Sequence, residues 1–191
     1  MTDTFYDPLA DEPPPALGIV LDRDRGSLPY ALIHGEALVA CAAWALGEAG
    51  VTLLDTGITW GAVRRADEPV VLHDALCPMT PADFIAACVR RALDDDVVVV
   101  ATRPVTDTIK RVADGRVGET VDREGLTSIV SPVVLPPSVV SVLSEEPGTD
   151  LAALVASLAL SHRVVLAEAP ASARRVTSPE EIAVLEALTA G

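Results

Sequence analysis

Short runs of β-branched residues alternate with helical segments along most of this chain, and that alternation limits the fold more than any other feature. The run DVVVVATRP (96–104) is continuously apolar, as expected of a parallel strand that is covered on both faces. Further apolar strands are predicted at 16–22, 51–57 and 68–74, and helical spacing at 34–50 separates the first two. The sequence therefore predicts an α/β fold with a mainly parallel, covered sheet.

The alternation continues towards the C-terminus. The stretch MTPADFIAACVRRALDDD is predicted to be helical, with Thr80 as N-cap, Pro81 at the first helical position and Asp83 in the first turn. TSIVSPVVL and RVVLAEA are predicted strands, whereas TDLAALVASLALSH and VTSPEEIAVLEALTAG are predicted helices.

One stretch, Arg103–Leu126, departs from this alternation. It is dense in charge, and it holds Lys110, the single lysine of the chain. Two polar-apolar segments flank the sequence ADGR, and Asp-Gly is a strong signal for a hairpin turn. The sequence therefore predicts a long hairpin at about 105–126, whose basic residues either contact a partner or form a solvated face.

Length and charge limit the domain count and the class of partner. With 191 residues, half of them apolar, the chain supports one domain at 16–191 after an acidic, Pro-rich leader at 1–15 that we expect to be disordered. A formal charge of −14 argues against nucleic-acid binding, and no apolar run is long enough to span a membrane. Three widely spaced cysteines without a CxxC motif favour a cytoplasmic location.

Several fragments, taken in order, resemble the 2-C-methyl-D-erythritol 4-phosphate cytidylyltransferase family. VVLHDALCP (70–78) is similar to the family's strand ending in His-Asp-Ala-Ala-Arg-Pro. VTDTIKRVADGRVGETVDREGL (105–126) resembles its Asp-Thr-(Ile/Met)-Lys arm with the later Val-Asp-Arg. IVSPVVL stands where the family has Thr-Pro-Gln, and the C-terminal sequence follows the family's last strand and helix. The resemblance covers roughly 68–190.

The resemblance implies a three-layer, Rossmann-like nucleotidyltransferase sheet with a protruding hairpin arm. In that family the arm embraces the other subunit of a dimer and helps to form its site for the phosphorylated polyol. Applied to this chain, the resemblance implies a homodimer. It also implies four substrate-binding residues: Thr108, Lys110, Arg123 and Ser131. Arg123 suits this role because a guanidinium group binds phosphate through two hydrogen bonds.

The resemblance also implies the chemistry. Cytidylyl transfer joins a phosphate oxygen of the acceptor to the α-phosphorus of CTP and expels pyrophosphate, so the site supplies Mg²⁺, cations and N–H donors. By position, Asp74 is the metal-side aspartate, Arg25 and Arg175 are the catalytic cations, and Arg23 and Gly26 lie in the nucleotide loop.

The chain departs from the family mainly in the nucleotide half. The loop DRDRGSLPY is several residues shorter and keeps one glycine, Gly26, which is too few for a cradle of converging N–H groups. Tyr30 and Arg175 replace two lysines, and Cys77 replaces an arginine. The region before VVLHDA is also shorter, so Trp60 either stacks on a base or packs in the core.

These departures leave three interpretations. In the first, the chain is a homologue with impaired or lost cytidylyl transfer, no cofactor, and a binding or regulatory role. In the second, it is an active, CTP- and Mg²⁺-dependent cytidylyltransferase that uses Arg23, Arg25 and Arg175 in a remodelled nucleotide site. In the third, it is a structural partner of a true cytidylyltransferase.

Overall fold

A computed structural model describes residues 14–55, 57–104, 110–113, 116–120 and 126–190, with the backbone alone described at 110–113 and 116–120. Its strands are β1 (Ala16–Leu21), β2 (Leu32–Ile33), β3 (Glu36–Ala37), β4 (Val51–Leu53), β5 (Val70–Asp74), β6 (Val98–Pro104), β7 (Lys110–Ala113), β8 (Arg116–Thr120), β9 (Thr127–Leu135) and β10 (Val164–Glu168). Its helices are α1 (Leu38–Glu48), α2 (Trp60–Val63), α3 (Ala82–Asp95), α4 (Pro137–Val142), α5 (Leu151–Leu158) and α6 (Pro179–Thr189).

The main sheet has six strands in the order β10-β6-β9-β5-β1-β4. β1 pairs in parallel with β4 and β5, and β6 pairs in parallel with β10. β9 is antiparallel to both of its neighbours, β5 and β6. The predicted mainly parallel α/β sheet is therefore confirmed, with one antiparallel strand inserted near its centre.

Helices cover both faces of the sheet. Because side chains alternate along a strand, Val70 and Leu72 of β5 enter one core while Val71 enters the other. The core that holds Val71 lies under α1 and α3, and the opposite core lies under α2, α4 and α5. α6 closes a smaller cluster with Ile33 and Leu38. This three-layer packing gives a mainly aliphatic interior.

Two predicted helix starts differ from the structure. α1 begins at Leu38, later than the predicted His34, because β2 and β3 form a small antiparallel pair just before it. The prediction that Thr80 caps α3 is wrong. The helix begins at Ala82, and its N-cap residue is Pro81, which makes no side-chain hydrogen bond. The Thr80 hydroxyl donates instead to the Cys77 carbonyl oxygen at 2.9 Å, which closes the turn between β5 and α3.

The charged stretch contains two paired strands. β7 and β8 are antiparallel, with Ala113 opposite Arg116, as expected for a hairpin around Asp-Gly. The remaining residues of the predicted arm, including Thr108 and Arg123, lie outside the described residues, as does most of the leader at 1–15. Among the described helices, none has the length and apolar character needed to cross a membrane.

Gly18 allows β1 to pack closely against β4 and α1. A Cβ atom at this position would lie 2.6 Å from Val51 Cγ1 and 3.3 Å from Leu46 Cδ1. We expect Gly18→Ala to lower the free energy of unfolding by about 2 kcal/mol, because a valine on a strand has little freedom to move aside. Chemical denaturation measures this effect.

Gly47→Ala in α1 is the matched control for this substitution. Gly47 is exposed, and nothing lies within 4 Å of an added Cβ there. The control is expected to keep or slightly raise stability, since alanine favours a helix more than glycine does. Equal effects of the two substitutions would contradict close packing at Gly18.

Candidate anion site at the carboxyl ends of β1 and β5

The candidate site lies where β1 and β5 end side by side. Leu21, the last residue of β1, pairs with Asp74, the last residue of β5. Ligands of open α/β sheets bind at this edge, beyond the carboxyl ends of the strands. The neighbouring β9 contributes Ser131, whose buried hydroxyl oxygen accepts a hydrogen bond from the Asp74 backbone N–H at 2.6 Å. The sheet thereby fixes the backbone of Asp74 on two sides.

The Asp74 carboxylate is held by two arginines from distant parts of the chain. Arg25, in the loop after β1, donates from Nε to Oδ1 at 3.2 Å and from Nη2 to Oδ2 at 3.1 Å. Arg175 donates from Nε to Oδ2 at 2.9 Å, and the Leu76 backbone N–H donates to Oδ1 at 3.0 Å. The side chain of Asp74 is 4% exposed and that of Arg25 is 13% exposed. The group is therefore a largely buried ion triad.

The surroundings of Asp74 determine its protonation. Burial raises the pKa of its carboxyl, but hydrogen bonds from Leu76 N–H, Arg175 and Arg25 outweigh burial and bring the pKa below its ordinary value. Asp74 is therefore a carboxylate at neutral pH. One negative charge is shared by two guanidinium groups, which leaves the triad with a net charge of +1.

A cavity of about 420 Å³ opens beside this triad. Arg25, Asp74 and Arg175 line it together with Thr149 and the first residues of α5. Arg175 uses its Nε on Asp74, and its two terminal nitrogens make no hydrogen bond within the described residues. Each terminal nitrogen carries two N–H donors in a planar fork that matches the oxygens of phosphate. The cavity thus presents free donors to an anion.

The loop after β1 is tied to the residues before α5. Arg25 Nη2 donates to the Thr149 carbonyl oxygen at 2.8 Å, and the Thr149 hydroxyl donates to Asp24 Oδ2 at 3.0 Å. Arg23 forms a salt bridge with Glu146 at 3.6 Å and is otherwise exposed. The sequence analysis did not predict Thr149 as a site residue and placed it only at the start of the predicted helix TDLAALVASLALSH.

Gly26 and Arg23 are close to Arg25 in the loop after β1, but neither lines the cavity beside the triad. Gly26 is exposed with φ +61°, and an added Cβ would find no atom within 4 Å. Arg23 lines a different cavity of about 680 Å³, together with Asp22, Trp60 and Glu146. The structure therefore brings Arg25, Asp74, Ser131 and Arg175 together, but not the two residues predicted to bind the nucleotide.

Trp60 packs beside the second cavity with its polar atom already used. Its indole Nε1 donates to the Leu143 carbonyl oxygen at 2.9 Å, and its ring packs against the core under α2, α4 and α5. Of the two roles considered for Trp60, packing accounts for these contacts. The cavity wall is largely apolar, and its charged residues are Asp22, Arg23, Asp55 and Glu146.

The triad does not fit a divalent cation. Both carboxylate oxygens of Asp74 already accept two hydrogen bonds each, from the two arginines and from Leu76 N–H. A metal ion would have to displace two guanidinium groups to reach them. In the described part of the chain, no three His, Cys, Asp or Glu side chains are grouped so as to hold a metal ion. The assignment of Asp74 as a metal ligand stays a prediction.

The arm residues are not described well enough to test their predicted role. Thr108 and Arg123 lie outside the described residues, and Lys110 lies on β7, where the backbone alone is described. Their contacts with a phosphorylated substrate stay predictions.

Comparison with known proteins identifies the family of this chain. The sequence model of the 2-C-methyl-D-erythritol 4-phosphate cytidylyltransferase family matches residues 54–190. The chain belongs to this family. A member from Frankia casuarinae is 35% identical over 136 residues, which is 68% of this chain and 50% of that protein. A member from Bacillus pumilus is 32% identical over 133 residues, which is 66% of this chain and 57% of that protein.

The match thus spans only about half the length of these cytidylyltransferases. Solved structures extend the likeness of the fold. The cytidylyltransferase of Thermus thermophilus superposes with a TM-score of 0.64 and 22% identity, covering 91% of this chain and 97% of that one. The cytidylyltransferase of Francisella tularensis gives a TM-score of 0.62 at 13% identity, covering 90% of this chain and 98% of that one. These structures establish the nucleotidyltransferase fold that the sequence predicted.

Proposed function

We propose that this protein binds a small phosphorylated ligand at the Arg25–Asp74–Arg175 triad and that its capacity for cytidylyl transfer is impaired or lost. A binding or regulatory role follows from that combination. The proposal depends on one observation: each carboxylate oxygen of Asp74 already accepts two hydrogen bonds. The donors are two arginines and one backbone N–H.

Anion binding is supported by the charges at the triad. The free terminal nitrogens of Arg175 favour a phosphate group, since guanidinium forks bind phosphate through charge-assisted hydrogen bonds. Asp24 and Asp150 also line the cavity, and their carboxylates accept hydrogen bonds from the Thr149 hydroxyl and the Ala153 N–H. Family membership indicates the class of ligand, because the family is named for transfer to 2-C-methyl-D-erythritol 4-phosphate. A phosphorylated polyol of this kind is therefore the proposed ligand.

Impaired transfer is supported by what surrounds the nucleotide loop. Arg25, which would have to stabilise the transferred phosphate, is already bound to Asp74 and to the Thr149 carbonyl oxygen. The single arginine in the described wall of the adjoining cavity, Arg23, forms a salt bridge with Glu146, and Asp22 adds negative charge there, so the wall offers a triphosphate little free positive charge. Removal of one preorganised donor typically slows such reactions by roughly 10²- to 10³-fold. Because several such donors are replaced in the nucleotide half of this chain, we expect the rate of cytidylyl transfer to be very low.

Calorimetric titration tests both parts of the proposal. We expect methylerythritol phosphate to bind, and Arg175→Ala to weaken that binding by about tenfold or more, because a charge-assisted fork is lost. We expect no comparable heat for CTP with Mg²⁺. Arg90→Ala is the matched control, since Arg90 is exposed on α3 and far in sequence from the triad. Loss of polyol phosphate binding in the control, or no binding in the unmodified protein, would contradict the site.

An active cytidylyltransferase is the second candidate. It is favoured by the convergence of Arg25, Asp74 and Arg175 at the edge of the sheet where ligands bind. In that case the ligands are CTP and methylerythritol phosphate, with Mg²⁺ as cofactor. Pyrophosphate release that depends on CTP and Mg²⁺, and that falls in Arg175→Ala, would establish this candidate in place of the first.

Assembly through the arm stays part of the proposal. β7 and β8 form the hairpin that would embrace a second copy of the chain, and sedimentation of the full chain measures the oligomeric state. A stable complex with a true cytidylyltransferase would instead favour the role of structural partner. The cytoplasmic location stays a prediction.

A further inference from the structure

A second basic cavity lies on the other side of Arg175. Its volume is about 360 Å³, and its polar lining consists of Arg103, Ser128, Arg174, Arg175, Thr177 and Glu181. These residues define the Arg174 pocket. Arg175, Ile129 and Val130 line both this pocket and the cavity beside Asp74. The two cavities are therefore neighbours that share a wall, but Arg103 and Arg174 belong to the Arg174 pocket alone.

Arg174 is a half-buried cation that has no hydrogen-bond or ion-pair partner among the described residues. Within the described part of the chain, the other half-buried arginines are Arg25, Arg64, Arg103 and Arg175, and each donates to a protein oxygen. Arg174 donates to none, although the chain has 28 acidic residues and only 14 basic ones. Withdrawing a cation from water without a partner costs free energy, so such a group indicates an anion from outside the chain.

Glu181, the carboxylate that lines the Arg174 pocket, is already engaged elsewhere. Glu181 Oε2 accepts from the Thr177 backbone N–H at 2.6 Å and from the Thr177 hydroxyl at 2.8 Å. Arg103 is fixed in the wall because its Nη1 donates to the Ala169 carbonyl oxygen at 3.0 Å. The pocket therefore presents three guanidinium groups against one carboxylate that is already engaged.

We propose that the Arg174 pocket is a second phosphate-binding site, separate from the triad beside Asp74. Arg174 supplies the free guanidinium fork, Arg103 adds a fixed positive charge, and Arg175 closes the wall between the two sites. The ligand class is a small phosphorylated molecule, because the pocket is too small for a macromolecule and its charge selects an anion. The site does not depend on the function proposed for the triad.

Titration of the ¹⁵N-labelled protein with inorganic phosphate tests this proposal by nuclear magnetic resonance. Two sets of backbone amides report the two sites: residues 127–128, 174 and 177 for the Arg174 pocket, and residues 25–26, 75–76 and 149–152 for the triad. We expect both sets to shift in the unmodified protein. In Arg174→Ala we expect phosphate affinity at the first set to fall by about tenfold or more, with the second set unchanged.

Two further variants make the result specific. Arg174→Lys keeps the charge but not the fork, so its affinity is expected to lie between those of Arg174→Ala and the unmodified protein. Arg90→Ala removes an exposed arginine elsewhere and is expected to change neither set. The retained spectrum of each variant shows that it is folded.

Each outcome separates this inference from the proposed function. Shifts confined to the triad set would overturn the Arg174 pocket and leave the triad site standing. Shifts confined to the Arg174 set would support the pocket and contradict phosphate binding at the triad. An unchanged response in Arg174→Ala would overturn the role of Arg174, and the absence of both responses would overturn both sites.

Discussion

Asp74→Asn is expected to lower the free energy of unfolding at pH 7 by about 3 kcal/mol. The substitution keeps the shape of the side chain but removes the charge that neutralises Arg25 and Arg175. The Arg25 side chain is only 13% exposed, so its guanidinium would be left charged in a poorly solvated position. Arg175 is 34% exposed and can turn towards water, which limits the loss to the lower end of the range for buried pairs.

Equilibrium denaturation of Asp74→Asn beside Asp94→Asn measures this loss. Asp94 lies exposed near the end of α3 and has no partner within the described residues, so its substitution is expected to change stability by less than about 0.5 kcal/mol. If Asp74→Asn were as stable as the control, the triad would make no net contribution to the free energy of unfolding. That result would mean that Arg25 and Arg175 do not form ion pairs with Asp74 in solution.

The pH dependence of the same pair of proteins gives a second readout. The pKa of Asp74 in the folded protein lies below its value of 3.8 in the unfolded chain, so the carboxylate stabilises the fold at every pH above 3.8. That stabilisation is lost as the pH falls below 3.8 and through the folded pKa. The difference in stability between the unmodified protein and Asp74→Asn should therefore be constant near neutrality and shrink below about pH 4.

Most of the fold could be predicted from local sequence, because β-branched runs and capped helices are local signals. The strands at 16–22, 68–74 and 96–104 appear as β1, β5 and β6 with shifts of a few residues at their ends. The insertion of β9 between β5 and β6 could not be predicted from those signals. It depends on pairing between distant strands, which no local pattern specifies.

The candidate site shows the same limit. Arg25, Asp74 and Arg175 were each predicted from a family resemblance, but their mutual contact joins residues that are 49 and 101 positions apart. A motif comparison assigns Asp74 to a metal because it sees the aspartate without its neighbours. The sequence analysis did not single out Arg174. Its half-buried position without a partner among the described residues is visible only in the structure.

His73 is expected to make the protein less stable as the pH falls from 6.5 to 4. Its side chain is fully buried, and neither ring nitrogen has a hydrogen-bond partner. Burial lowers the pKa of His73 from 6.5 to about 4, although the negative charge of Asp74 opposes this. Between these two values the unfolded chain binds a proton that the folded protein does not, so stability rises with pH across this window.

His73→Leu tests this expectation with a large predicted effect. A pKa shift from 6.5 to about 4 lowers the free energy of unfolding of the unmodified protein by about 3 kcal/mol between pH 7 and pH 4. The variant has no histidine at this position, so we expect it not to show this loss. At pH 7 we expect His73→Leu to be about as stable as the unmodified protein, because an apolar side chain of similar size leaves no polar atom unsatisfied. Denaturation curves at pH 4, 5, 6 and 7 measure both quantities.

His162→Gln is the matched control, because His162 lies in the turn after α5 rather than in the core. The control should keep the full pH dependence of the unmodified protein. If His73→Leu kept it as well, the proton uptake would belong to other groups, and His73 would have to reach solvent or a partner in the folded state. A slope that disappears in His73→Leu alone would show that burial keeps this histidine neutral in the folded protein at pH values where the unfolded chain binds a proton.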